Sequence, residues 1–441
     1  MARADRLRPA ASQVSQGVSW RRVTGALVVF CVTYMLIASR QLRFLRLDRP
    51  AASIVGAVAM VIVGGLPMDL ALRAVDLHVL LLLFGVLVIA AYLQEAQFFR
   101  LCAYLVLTRA TSARSLLFGL VFVSGALSAF LVNDTVCVVL TPLVVAVVVE
   151  ARLPPLPYLL ALASAANVGG VVSFSGNPQN MIIGAHAHAT ISFAQYLALT
   201  LPVGVVCLAV NAALISWLFR HDLPTGPLAE RSPPRPAVNR LLAAKGVAAL
   251  ALFAGLAIAG VSLAGAAMCA AACLMVAART GAREVFTRVD FTLLAFFGGL
   301  FVVVTGVAHA GVLDRVFDAA APVIARGDAT GDLLFVLFVV LASNVVSNVP
   351  LVLVAVSWIP HMPSPTWGYI MLAVASTLAG NLTLFGSVAN IIVMESAGPR
   401  GEISFWRFLR YGSVITVSNL LLALGILVAE YKLGIASLLG L

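Results

Sequence analysis

Residues 127–144 read LSAFLVNDTVCVVLTPLV, and residues 341–354 read LASNVVSNVPLVLV. The first apolar run is interrupted at Asn133-Asp134-Thr135. The second is interrupted at Ser347-Asn348, with Pro350 just after. Each lies in a longer apolar stretch, 115–149 and 331–357. A broken backbone frees N–H and C=O groups that lipid cannot satisfy, so such breaks belong against protein or a wet cavity. The pattern therefore predicts two re-entrant hairpins, each entering and leaving the membrane on the same side.

Outward from these stretches the chain stays apolar. Of 441 residues, 62% are hydrophobic and 10% charged, where a soluble domain carries roughly 25% charged. A membrane span needs about 20 apolar residues. Ten spans are expected, at 23–39, 51–68, 77–95, 158–184, 196–219, 241–259, 262–278, 291–309, 369–395 and 411–430. The expected fold class is an all-α polytopic membrane protein of about ten transmembrane helices plus two re-entrant hairpins, in two inverted-topology repeats.

The division into repeats rests on one linker and a recurring offset. Residues 220–240, RHDLPTGPLAERSPPRPAVNR, are Pro-rich and charged. They separate a first repeat (23–219, hairpin 115–149) from a second (241–430, hairpin 331–357), between a polar tail 1–22 and a C-terminal tail 431–441. The windows starting at Val75 and Val289 match at an offset of 214, those starting at Ala163 and Ala373 at 210, and Asn133 and Asn348 lie 215 apart. Five spans per half is an odd number, so the halves take opposite orientations. With the N-terminus outside, the linker-side loops hold 18 Lys/Arg against nine on the other side, five of them in the N-terminal tail. That bias fits a cytoplasmic linker. The stretches 96–114 and 310–330 are amphipathic and are expected along the interface.

The formal net charge of +10 is accounted for by these loop arginines, and no nucleic acid is expected as a partner. The six Cys lie in or beside apolar segments without a CxxC pair. No HExxH, Ser/His/Asp set or acidic metal cluster occurs in the spans, so an enzyme is not expected, nor a resident cofactor. The expected location is the cell (inner or plasma) membrane.

Four polar islands recur at matching places: Asn133-Asp134-Thr135, Ser175–Asn180, Ser347-Asn348, and Gly380-Asn381 with Gly386-Ser387 and Asn390. Gly and Pro unwind a helix and expose its ends, so positive N-termini and bare carbonyls can face one cavity. The candidate substrate-binding residues are Asn133, Thr135, Asn177, Gln179, Asn180, Ser347, Asn348, Asn381, Ser387 and Asn390. The candidate coupling-ion residues are Asp134, Asn133, Gly176, Asn348 and Gly386, and the ion is H⁺ or Na⁺. A carboxylate at a helix centre costs at least about 2.5 kcal/mol on insertion scales, which singles out Asp134. Asp76 and Asp290 stand at helix starts and are read as N-terminal caps. His186 and His188 are assigned to a solvated loop. No island contains Arg or Lys, so a fixed anion would be held by helix N-termini, amides and a co-bound cation, and a neutral hydroxylated solute would need no cation.

NDTVCVVLTP (133–142), SGNPQNMIIG (175–184), SNVVSNVP (343–350) and GNLTLFGSVAN (380–390) resemble the ion-transporter superfamily, nearest its arsenite-permease-like and citrate-transporter-like branch. The superfamily also includes divalent-anion:sodium symporters and a class of Na⁺/H⁺ antiporters. The resemblance implies a scaffold subdomain, a moving transport subdomain, hairpin tips that meet at mid-membrane, and a homodimer. It implies a small inorganic or organic anion as substrate, of the arsenite/antimonite or citrate/dicarboxylate class. A Na⁺/H⁺ antiporter is the alternative. The symporters carry Ser-Asn-Thr at both hairpins. Here the first reads Asn133-Asp134-Thr135, as in the arsenite permeases, and Val349 holds the third place of the second.

Overall fold

The computed structural model describes residues 20–38, 47–227, 235–313, 315, 318 and 326–440. Most of the N-terminal tail, part of the 220–240 linker and part of the amphipathic stretch 310–330 lie outside the described residues. Among those described, the regular structure is helical, with one isolated bridge between Ser112 and Pro227.

Before the linker come α1 (Trp20–Ala38), α2 (Arg49–Ile62), α3 (Met68–Ala74), α4 (Leu77–Glu95), α5 (Phe98–Arg109), α6 (Ala113–Phe130), α7 (Asn133–Glu150), α8 (Pro155–Gly170), α9 (Pro178–Ala187) and α10 (Phe193–Leu218). After it come α11 (Arg240–Ile258), α12 (Leu263–Ala278), α13 (Ala282–Phe286), α14 (Phe291–His309), α15 (Ala329–Val346), α16 (Asn348–Ala355), α17 (Pro365–Ala379), α18 (Val388–Ser396), α19 (Phe405–Lys432) and α20 (Ile435–Leu438). Eight of the described helices, α4, α6, α7, α10, α11, α14, α15 and α19, are long and apolar enough to cross a membrane. The chain is a multi-pass membrane protein.

Local chemistry sets where helices start. Asp76 accepts from the backbone N–H of His78 and Val79 to cap α4, and Asp290 accepts from Leu293 N–H to cap α14. Ser112 with Ser115, and Ser192 with Gln195, form reciprocal capping boxes on α6 and α10, the arrangement that satisfies two orphan donors at once. Pro155, Pro178 and Pro365 stand in the first turns of α8, α9 and α17, where a missing N–H costs nothing.

Breaks fall at the polar islands. The 115–149 stretch is no continuous rod: Leu131 is extended (φ −113°, ψ 152°) and α7 restarts at Asn133. The second break sits at Ser347, whose φ of +72° is unusual for a residue with a side chain. The expected spans 158–184 and 369–395 are each two helices, α8 with α9 and α17 with α18. α16 has eight residues, about 12 Å at 1.5 Å per residue, too short to cross a bilayer alone.

Packing divides the bundle. α6, α7, α8, α10, α18 and α19 pack on one another, as do α15, α16 and α17, which reach α9. In a second group, α2 packs on α14 and α1, and α4 on α11 and α12. α6 and α8 meet backbone to backbone: a Cβ on Gly169 would lie 2.1 Å from the Gly125 carbonyl oxygen. Small residues permit that approach, as is usual between membrane helices.

Candidate functional site

The two broken helices are built alike. Asn180 Nδ2 donates to the Gly170 carbonyl at 2.9 Å, and Asn390 Nδ2 donates to the Gly380 carbonyl at 2.7 Å. Both residues of one clamp lie 210 positions after their counterparts in the other. Each carbonyl stands at the end of a helix that has just stopped, so the amide satisfies a group that unwinding left bare. Asn177 Oδ1 accepts from Asn180 N–H at 2.8 Å and caps α9, and Ser387 Oγ accepts from Ala389 N–H at 3.2 Å and caps α18. A Cβ on Gly176 would lie 2.6 Å from the Gly170 oxygen, so this close crossing admits glycine alone.

Hydrogen bonds then lock the two halves together. Asn167 Nδ2 donates to Asn381 Oδ1 at 2.8 Å and to Asn390 Oδ1 at 3.3 Å. Its Oδ1 accepts from Asn133 Nδ2 and from Ser387 Oγ, each at 3.0 Å. Thr377, 210 residues after Asn167, donates to Asn180 Oδ1 at 3.2 Å and accepts from Asn177 Nδ2 at 3.1 Å. Asn167 and Thr377 were absent from the expected set, although the windows starting at Ala163 and Ala373 align them.

Around these clamps lies a cavity of about 40 Å³, lined by Asn133, Asp134, Pro178, Gln179, Ser347, Asn348, Val349, Pro350, Ser387 and Val388, with Ile37, Leu293, Phe296 and Phe297 closing it. The starts of α7, α9, α16 and α18 all reach its wall. The breaks at Asn133 and Ser347 thus meet at one place, and Asn133, Asp134, Gln179, Ser347, Asn348 and Ser387 share it. Thr135 is half-buried beyond the wall. Asn177, Asn180, Asn381 and Asn390 stand behind it as framing amides. Gly176 gives its carbonyl to Asn133 N–H at 3.1 Å, and Gly386 packs against Gly380 and Asn344.

The second hairpin satisfies itself and the first does not. Ser343 Oγ donates to Asn348 Oδ1 at 2.8 Å. Ser128 and Asn133 occupy the equivalent positions, 215 residues earlier. Yet Ser128 Oγ and Asn133 Oδ1 are both buried without a hydrogen-bond partner. Buried polar atoms are rarely left so.

Asp134 is the acid on the cavity wall and is buried, at 8% exposure. Asp76 and Asp290 cap helices as expected. His186 lies in the last turn of α9 and not in a loop; it and His188 are both exposed, and each turns Nδ1 to a backbone carbonyl. Among the described residues no group of His, Cys, Asp and Glu is arranged to hold a metal.

Helix starts, amides and one acid gather inside a membrane bundle, and the chain's family and relatives are membrane transporters and not enzymes. The chain belongs to the citrate transporter family, whose model matches residues 34–366. It is 30% identical over 454 residues to the silicon efflux transporter LSI3 of Oryza sativa subsp. japonica, covering 87% of this chain and 93% of that protein. It is 28% identical to a 46 kDa membrane protein of Mycobacterium leprae, covering 90% and 96%. It is 23% identical to the putative transporter arsB of Dictyostelium discoideum, covering 91% of each chain. The crystal structure of the Alcanivorax borkumensis YdaH transporter shares the fold, with a TM-score of 0.57 at 17% identity over 94% of this chain and 98% of that one.

Proposed function

We propose that the chain is a cation-coupled secondary carrier of small oxyanions or metalloid hydroxides, which passes its solute between the two halves by alternating access. The cavity at the hairpin breaks carries this reading. Water fills about 10–15 Å³ of such space, so 40 Å³ suits a solute of a few heavy atoms better than citrate. Four helix starts favour electronegative oxygen, and the amides and hydroxyls of Asn133, Gln179, Ser347, Asn348 and Ser387 replace its hydration. The rice relative's name, a silicon efflux transporter, points to the same solute class.

Asp134 takes the coupling ion, H⁺ or Na⁺. The unpartnered oxygens of Ser128 and Asn133 suit a hard cation beside it, because such ions take oxygen ligands. Proteoliposomes containing the chain, loaded with arsenite, antimonite, germanic acid or citrate under a Na⁺ or pH gradient, test the reading. The wild type should move one of the first three, and Asp134→Asn should abolish the coupled flux while the protein stays folded. Undiminished coupled flux in Asp134→Asn overturns it. Na⁺-driven proton movement without any oxyanion would identify a Na⁺/H⁺ antiporter instead.

A further inference from the structure

Gln179 is a wall residue that the fold leaves free at both ends. It lines the solute cavity and is 5% exposed. Among the described residues no hydrogen bond joins its side chain to the protein. The next residue, Asn180, is spent: its Oδ1 accepts from Thr377 and its Nδ2 donates to the Gly170 carbonyl. Much of the wall is spent as well. Asn133 Nδ2 donates to Asn167, and Asn348 Oδ1 accepts from Ser343. Ser387 Oγ donates to Asn167 and accepts from Ala389 N–H.

The start of α9 mounts Gln179 for contact with a solute. Pro178 holds the first helical position and has no N–H. Asn180 N–H is bound to Asn177 Oδ1 at 2.8 Å, and Met181 N–H to the Asn177 carbonyl at 3.1 Å. The donor left over in this first turn is the N–H of Gln179 itself. Beside it stands the side-chain amide, with two N–H donors and one carbonyl acceptor. The second half offers no counterpart, because the residue 210 positions later is Ala389.

We propose that Gln179 is a specificity-determining residue of the cavity and selects solutes that carry O–H groups. The inference rests on the carrier reading and chooses between its two solute classes. A metalloid hydroxide un-ionised at neutral pH both accepts and donates. Gln179 can accept from one of its O–H groups at Oε1 while giving Nε2 to another of its oxygens. A fully ionised oxyanion such as sulfate only accepts. In a cavity of about 40 Å³, a bound solute meets both ends of the amide, so sulfate would leave Oε1 without a donor and set it against negative charge. A buried acceptor left unmet is costly. A site built to meet an O–H group therefore rejects an analogue without one more strongly than an apolar pocket rejects a missing methylene.

The test uses full-length wild type, Gln179→Met and Asn180→Leu. Gln179→Met keeps the length of the side chain and removes the amide. In proteoliposomes, kcat/KM is measured for arsenite and for germanic acid, with sulfate as the competitor that bears no O–H group. The wild type should take both hydroxides and be inhibited far less by sulfate than by the other hydroxide. Gln179→Met should lower kcat/KM for both hydroxides at least about tenfold, while inhibition by sulfate changes little. Sulfate inhibiting the wild type as strongly as germanic acid overturns the inference, as does an equal loss of hydroxide and sulfate binding in Gln179→Met.

Thermal unfolding in detergent needs no solute. Gln179→Met should unfold with the wild type, since the lost amide bonds nothing in the protein. Asn180→Leu strips Gly170 and Thr377 of a partner and should unfold at a lower temperature. A Gln179→Met protein as unstable as Asn180→Leu would make Gln179 a clamp and overturn the inference. If the wild type moves neither arsenite nor germanic acid, the carrier reading falls and this inference with it. If the wild type moves them and Gln179→Met keeps both kcat/KM values, this inference alone falls.

Discussion

Asn167 and Asn381 are joined by a 2.8 Å hydrogen bond between amides 214 residues apart. The same Asn167 also bonds Asn133, Ser387 and Asn390. Asn167→Ala should strand buried groups in both halves, at about 1–3 kcal/mol for each one left unsatisfied. Thermal unfolding in detergent measures this, and a shift no larger than that of an exposed surface substitution would show that Asn167 is not the joint.

Gly176 faces the Gly170 carbonyl so closely that a methyl group must displace backbone. Gly176→Ala should destabilise the protein by about 1–3 kcal/mol and remove transport. Gly255, with nothing within 4 Å of a built Cβ, serves as the control, and its Ala variant should behave like the wild type.

Ser347 holds a positive φ at the cavity wall, a conformation that costs a non-glycine residue about 1–3 kcal/mol. Ser347→Gly should relieve that strain and raise the unfolding temperature while lowering flux, because the wall loses a hydroxyl. A variant less stable than the wild type would contradict this account.

The paired serines separate two roles. Ser343→Ala leaves Asn348 Oδ1 without its donor and should lower stability by about 1–3 kcal/mol. Ser128→Ala removes an oxygen that bonds nothing, so stability should hold while the concentration of driving cation for half-maximal flux rises. Equal effects of the two variants on both readouts would remove the distinction.

Asp328 gives a pH dependence outside the spans. Gly331 N–H and the Arg326 guanidinium bond its carboxylate and hold its pKa below the usual range. A depressed folded pKa stabilises above the unfolded value, about 3.9, and that contribution is lost as pH falls through the folded value. The protection factor of the amides at the start of α15, taken relative to the intrinsic exchange rate at each pH, should therefore fall in acid below about pH 4. It should change little between pH 6 and 8, and Asp328→Ala should remove the acid dependence.

How far the sequence reaches depends on the range of the interaction. The breaks at Asn133 and Ser347 are legible because polar residues in an apolar run leave few alternatives. The caps at Asp76 and Asp290 are legible because capping spans three residues. Asn167 is harder, for it sits among alanines and glycines, and the 210-residue offset to Thr377 is its one signal. Asn180 and Asn390 are readable as polar, but which amide faces solute and which clamps backbone is decided by how each helix ends.

The Gly125–Gly169 crossing leaves α6 and α8 no side chains at which to slip. On the proposed carrier reading, the first hairpin and the first broken helix would travel as one plate. The part of the cavity wall that α7 and α9 supply would then keep its spacing from one face of the membrane to the other. Selectivity would then be set once, at loading, and carried unchanged to the point of discharge.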